Sequence, residues 1–265
     1  MRLFGATKVN IVAKGQKMEP IDLTLMMFAA GVMLCAGAVK GMIGQGMPTI
    51  ALTLLTFQVD ARSAVTLILI PMLLSNVWQF WRGPDMLGCF KRHWRYATIL
   101  IVFVGGTVWF SQTAPDQFLR AVLGALVLVF CFISWRNILP PIPSRRERLF
   151  EGTSAVVAGI VGGLTAAWAP PLAMYLTGLR LERDEFVQAL GFLITAGSIS
   201  ILIMFVAVGH SSTSELLTST LLLGPTLLGF AAGEWVRHRT DPQKFRSIFL
   251  GVFSLLGANL LWSAL

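Results

Sequence analysis

Residues 152–179 read Gly152-Thr-Ser-Ala-Val-Val-Ala-Gly-Ile-Val-Gly-Gly-Leu-Thr-Ala-Ala-Trp-Ala-Pro-Pro-Leu-Ala-Met-Tyr-Leu-Thr-Gly-Leu179, without one Asp, Glu, Lys or Arg. About 20 helical residues cross the hydrocarbon of a bilayer, so an uncharged run of this length marks a membrane segment. The run also contains its own interruption. Ala169-Pro170-Pro171 removes two backbone donors in succession and disrupts a helix. The stretch therefore reads as a long helix, a break, and a short second piece folded back as a bent or re-entrant hairpin.

The rest of the chain follows the same pattern. Of 265 residues, 55% are hydrophobic and 13% charged, about half the ~25% charge of soluble domains. Apolar stretches lie at 21–43, 48–58, 62–82, 95–113, 118–136, 150–168, 170–179, 185–208, 216–236 and 246–264. The net charge of +8 sits in short connectors, as positive-inside orientation requires, and does not form a nucleic-acid surface. Basic connectors at Arg82–Arg95, Arg136–Arg148 and Arg237–Arg246 read as cytoplasmic. Weakly charged ones at Ser111–Asp116 and Gly209–Glu215 read as external. His93 reads as one member of a basic connector, and His210 as a solvated loop residue. Cys35, Cys89 and Cys131 lack zinc or redox spacing and read as small buried apolar side chains.

The chain looks duplicated. Setting Gly37-Ala38-Val39-Lys40-Gly41 on Gly159-Ile160-Val161-Gly162-Gly163 brings Pro48 onto Pro170, Asp60 onto Glu182 and Asn76 onto Ser198. The short stretch 48–58 follows its own break, Gly44-Gln45-Gly46-Met47-Pro48. The expected fold is an all-α integral membrane protein of two repeats, each a broken-helix hairpin plus three full transmembrane helices. An odd number of crossings per unit makes the second copy inverted, the build of many secondary transporters. The expected division is an N-terminal tail or interfacial segment at 1–20, a first membrane repeat at 21–140, a basic cytoplasmic linker at 141–149 and a second repeat at 150–265. This topology puts the basic tail outside. Either the tail is an exception to the positive-inside rule, or the first hairpin crosses the membrane once.

Breaks of this kind suit an anion. The second half of a broken helix begins with unpaired N–H groups and the positive end of its dipole. Gly41, Gly44, Gln45, Gly46, Pro48 and Thr49 form the first candidate cradle. Gly163, Trp168, Ala169, Pro170 and Pro171 form the second. Glycines and prolines that merely kink helices for packing are the alternative for either break alone. Lys40 is the only Asp, Glu, Lys or Arg between Asp22 and Asp60. A cation at the centre of a span costs about 2.5–3.5 kcal/mol on insertion scales. It reads as the counter-charge of an anionic substrate, or else as a lysine that snorkels to the interface. Asn76 and Ser198 bond a ligand or hold helices together, and Trp168 walls the site or anchors at an interface. No Asp or Glu lies in the interior of a span, the nearest, such as Asp60, Glu182 and Glu234, standing at span ends, which argues against a cation substrate and a carboxylate proton relay. No H-E-x-x-H, G-x-S-x-G or G-x-x-x-x-G-K-[ST] occurs, so neither a hydrolase, a metalloenzyme nor an ATP-driven pump is indicated. No cofactor or metal is expected.

The segment Gly37-Ala-Val-Lys-Gly-Met-Ile-Gly-Gln-Gly-Met-Pro48, followed by an apolar half-helix and a polar turn, resembles the TauE/SafE family of sulfite exporters and sulfonate permeases. The resemblance covers nearly the whole chain from Leu23 onward. It implies transport of a small anion, sulfite or an organosulfonate, across the bacterial inner membrane. Carried over, its motif positions are Gly41, Gly44, Gly46 and Pro48, then Gly163, Pro170 and Pro171. Gln45 and Met47 stand where many members have glycine, and Ala166-Ala167-Trp168 replaces the second glycine run. The expected function is a secondary exporter working by alternating access around the two breaks. A proton-coupled importer of a sulfonate or carboxylate and a non-transporting membrane scaffold are the alternatives. The expected partners are the anion and the lipid bilayer, with proton coupling and a homodimer left open.

Overall fold

The computed structural model describes residues 23–43, 46–136 and 142–237, together with 251, 254–255, 257–259 and 261–262. The tail at 1–20, the break residues Gly44 and Gln45, the connector beyond Arg237 and most of the last apolar stretch lie outside the described residues. The described chain is helical and contains no strand: α1 Leu23–Ile43, α2 Met47–Leu55, α3 Ala61–Trp81, α4 Met86–Phe110, α5 Asp116–Arg136, α6 Glu147–Thr165, α7 Ala169–Gly178, α8 Arg183–Ala207, α9 Thr213–Leu221 and α10 Leu223–Arg237. Among the described residues, five runs are long and apolar enough to span a bilayer: Leu23–Met42, Ala61–Trp81, Asp116–Ile133, Asp184–Ala207 and Thr213–Val236. Exposure is distributed as a bilayer demands. Trp81, Phe110, Phe132 and Leu228 face outward, while Lys40, Asn76, Gln79 and Gln188 are buried.

Three sequence readings need correction. The basic connector before α4 is only four residues long, because Asp85 caps a helix that starts at Met86. This carries His93 into the protein, where it is buried and not part of a solvated loop. Cys35 is exposed on the flank of α1, so it is not one of the buried thiols. The stretch 216–236 is two helices, broken at Leu222. Pro225 has no N–H for the carbonyl of Leu221, and its ring collides with that turn.

Helix direction follows from which residues meet. A Cβ on Gly37 would strike Thr226 and Phe230, and one on Gly41 would strike Phe230 and Glu234. Numbers rise together, so α1 runs parallel to α10. Gly229 and Gly233 press back against Leu34 and Ala38, bringing the two backbones into direct contact in the manner of small-xxx-small packing. The pair α4 and α6 is also parallel. Arg92 faces Glu147 at 4.0 Å, Tyr96 Oη bonds Ser154 Oγ at 3.0 Å, and Gly163 lies against Val104 and Thr107. Helices α3 and α8 cross antiparallel in the middle, with Phe80 and Phe192 rings 5.1 Å apart and Gly191 against Asn76 and Phe80. Pro71 interrupts α3 and frees the carbonyl of Leu67, which accepts the Ser219 hydroxyl of α9 at 2.8 Å. A freed carbonyl in hydrocarbon needs such a partner.

The connectors gather at two ends. At one, Arg62 Nη2 donates to the carbonyls of Ser111, Gln112 and Ala114. There Arg120 bonds the carbonyls of Thr56 and Val59, Ser63 donates to Glu215, and Thr66 Oγ1 meets Ser211 Oγ at 2.9 Å. At the other, basic end, Gln188 donates to Phe80 O and accepts from Asp85 N, and Ile142 N donates to Gly178 O. The α1–α2 hairpin opens toward the Asp60 end and the α6–α7 hairpin toward the basic end.

Backbone contact makes Gly233 intolerant. Gly233→Leu is expected to lower the thermal unfolding midpoint in detergent clearly, since a Cβ there meets the Ala38 carbonyl. Gly31→Ala, where a Cβ meets nothing within 4 Å, is expected to be neutral or to stabilise by up to about 1 kcal/mol through helix propensity.

Candidate functional site

The first hairpin turns at Gly46, whose φ of 96° is open to glycine but costly for a side chain. It caps α2 with no side-chain hydrogen bond, and Ile50 N donates to Gly46 O at 3.1 Å. The first-turn N–H groups of a helix have no intrahelical acceptor. In α2 these belong to Met47 and Thr49, because Pro48 has none. Pro48 and Thr49 are buried, so this positive helix end lies inside the protein.

Lys40 stands beside this turn, 2% exposed. Its Nζ donates to Ser75 Oγ at 2.8 Å and to Asn76 Oδ1 at 3.0 Å, bridging α1 to α3. This disfavours the snorkelling alternative: the amine turns into the helix bundle. Among the described residues no carboxylate pairs with it. An ammonium has three donors, and Ser75 and Asn76 take two. Asn76 is itself held, Nδ2 donating to Met72 O at 2.6 Å. The result is a buried, oriented amine with one donor left over among the described residues. Ser75 was not among the sequence candidates. Its signal, a hydroxyl next to Asn76 on the same helix, carries no weight until α1 is seen to pack there.

The second hairpin is built differently. Helix α6 ends at Ala166, which holds a left-handed φ of 53°, a strain of order 1–3 kcal/mol for a residue with a Cβ. Trp168 then caps α7 and is 1% exposed, so it is not an interfacial anchor. Its ring fills the space beside Gly162, and a Cβ on Gly197 would lie 3.1 Å from Cε2. With Pro170 and Pro171 in its first turn, α7 offers the Ala169 N–H alone. Ser198, fully buried, donates back to Ile194 O of its own helix at 2.7 Å.

The remaining candidates divide. Gly41 and Gly163 lie on helix contacts, against α10 and α4 respectively. Gly44 and Gln45 lie outside the described residues. Asn76 is the sixteenth residue of α3, about 22 Å along it from the Asp60 end at 1.5 Å per residue. Lys40 therefore sits toward the basic end. Gly197 is about 21 Å from the start of α8 by the same rise, so Trp168 sits toward the opposite end.

A family model described as "Sulfite exporter TauE/SafE" matches residues 29–260. No curated protein and no solved structure matches the chain.

The lysine's dependence on neutral acceptors is open to measurement. Asn76→Leu leaves the buried ammonium with one partner and should cost about 1.5–3 kcal/mol of stability. Asn76→Asp supplies a carboxylate at the same place and is expected to raise the unfolding midpoint in anion-free detergent solution. The opposite order of midpoints would mean that Lys40 is not charged there.

Proposed function

The chain belongs to the TauE/SafE sulfite exporter family, and from that premise we propose that it is a secondary carrier exporting a small anion, sulfite or an organosulfonate, across the bacterial inner membrane. The observation that carries this reading is Lys40, a buried ammonium held by Ser75 and Asn76 with no described carboxylate partner. An uncompensated charge in this setting is costly. A sulfite or sulfonate oxygen would accept the third ammonium donor and compensate it. The Met47 and Thr49 N–H groups and the Thr49 hydroxyl, at the positive end of α2, are the natural donors for the remaining oxygens.

The transport cycle we propose is alternating access by two inverted repeats. Several pairings support it. The glycine pairs 37/41 and 159/163 have the same spacing and press on α10 and α4 respectively. Thr66 ties α3 to the α8–α9 connector at Ser211, and Gln188, its match under the same alignment, ties α8 to the α3–α4 connector at Asp85. Each matched pair of described helices runs in opposite directions, and the two hairpins open at opposite ends. With the basic end inside, Lys40 lies nearer the cytoplasm. An inside-negative potential then drives a monoanion outward by about 2.3 kcal/mol per 100 mV, so export needs no further coupling.

The test is solid-supported-membrane electrophysiology on proteoliposomes with sulfite, sulfoacetate, taurine, sulfate, acetate and chloride. A saturable current is expected with sulfite or a sulfonate and none with zwitterionic taurine. Lys40→Gln should lower it at least tenfold in protein of normal stability. A current unchanged by Lys40→Gln would remove the counter-charge role. If no anion gives current, a pH-sensitive dye inside the same vesicles separates electroneutral proton-coupled import from a protein that carries nothing.

A further inference from the structure

The two halves fill equivalent space with different chemistry. Under the alignment that superposes the glycine motifs, Lys40 matches Gly162, Gly46 matches Trp168, and Ser75 matches Gly197. In the first half the long side chain comes from α1 and crosses to α3, ending on Ser75 and Asn76. The position at the start of the short helix is glycine. In the second half the long side chain comes from the start of the short helix. The Trp168 ring lies between Gly162 of α6 and Gly197 of α8, where a Cβ on Gly197 would be 3.1 Å from Cε2 and 3.2 Å from Cζ2. A Cβ on Gly162 would strike the same ring. Protein interiors are close-packed, so a lysine and this tryptophan cannot share that place.

We infer that Trp168 occupies in the second half the volume that the Lys40 side chain crosses in the first, which leaves the carrier one cationic anion site where two inverted repeats could have formed a pair. The inference rests on reading Lys40 as the anion's counter-charge. Two features of the second half agree with it. Pro170 and Pro171 strip the first turn of α7 of all N–H groups but that of Ala169. Gly197, which matches Ser75, has no side chain to accept from a cation, and Ser198 stands where Asn76 supplies a longer amide, its hydroxyl donating to Ile194 O. Trp168 is thus the residue that sets capacity. It blocks the second half from taking up an anion and makes each cycle carry one.

Isothermal titration of the purified full chain in detergent with sulfite tests this. Wild type is expected to bind one sulfite per chain, Lys40→Gln none, and Trp168→Phe, which keeps the volume filled, one. The triple variant Gly162→Lys/Trp168→Gly/Gly197→Ser moves the equivalents of Lys40, Gly46 and Ser75 into the second half, with the Ser198 hydroxyl as second acceptor, and is expected to bind two. Two sulfites per wild-type chain, or binding retained by Lys40→Gln, would overturn the inference. So would a count of one in a triple variant that is monodisperse and unfolds cooperatively. Should the triple variant fail that check, the wild-type and Lys40→Gln counts decide alone. No binding by wild type at all would instead sink the anion-carrier reading itself.

Discussion

A helix that stops inside hydrocarbon leaves backbone groups that only protein or a polar cavity can satisfy, and this chain has two such stops at its hairpins, besides the break at Leu222. Much of the architecture follows from sheltering those stops. Each broken hairpin is pressed on by a helix from the other half, α1 by α10 and α6 by α4, and the crossed pair α3 and α8 lies between. The contacts are made close by glycine, most of all where Gly37, Gly41, Gly229 and Gly233 let α1 and α10 touch backbone to backbone. Pro71 frees the Leu67 carbonyl within a span, and the Ser219 hydroxyl of a neighbouring helix takes it.

The sheltered stops are then unequal. The first keeps two N–H donors at the start of α2 and a lysine beside them. The second has two prolines at the start of α7 and a tryptophan over the gap. On the proposed reading the site is therefore one-sided, with Lys40 toward the basic end and no lysine at the matching position, Gly162. The charge is positioned by neutral groups. Carboxylate partners would hold the ammonium more tightly, but they would also neutralise the field that an anion needs. Ser75 and Asn76 orient Lys40 without cancelling it.

Much of this was legible in the chain. The uncharged runs, the proline and glycine breaks, the matched motifs and the isolated Lys40 are local features, and each has a local physical meaning. The alternation of connectors was legible too: the weakly charged ones gather at one end with Asp60, and the described parts of the basic ones at the other. Boundaries were less legible where a polar helix extends past its apolar core. Met86–Arg95 reads as a connector because its residues are charged, yet Asp85 caps it as helix. His93 was misplaced for the same reason, since a residue's burial depends on which helix face it occupies.

The sequence by itself determined that this is a helical membrane chain with two interrupted helices and one cation in a span, because insertion into hydrocarbon acts on each segment through its own composition. Only the tertiary structure decided what those features do. Whether Lys40 snorkels or turns inward depends on α3 bringing Ser75 and Asn76 within 3.0 Å of its Nζ. Whether Gly41 and Gly163 cradle a ligand or receive a helix depends on where α10 and α4 pack. Trp168 becomes a plug only because Gly162 and Gly197 converge on its ring. Such contacts join residues far apart in the chain, and no local pattern records them.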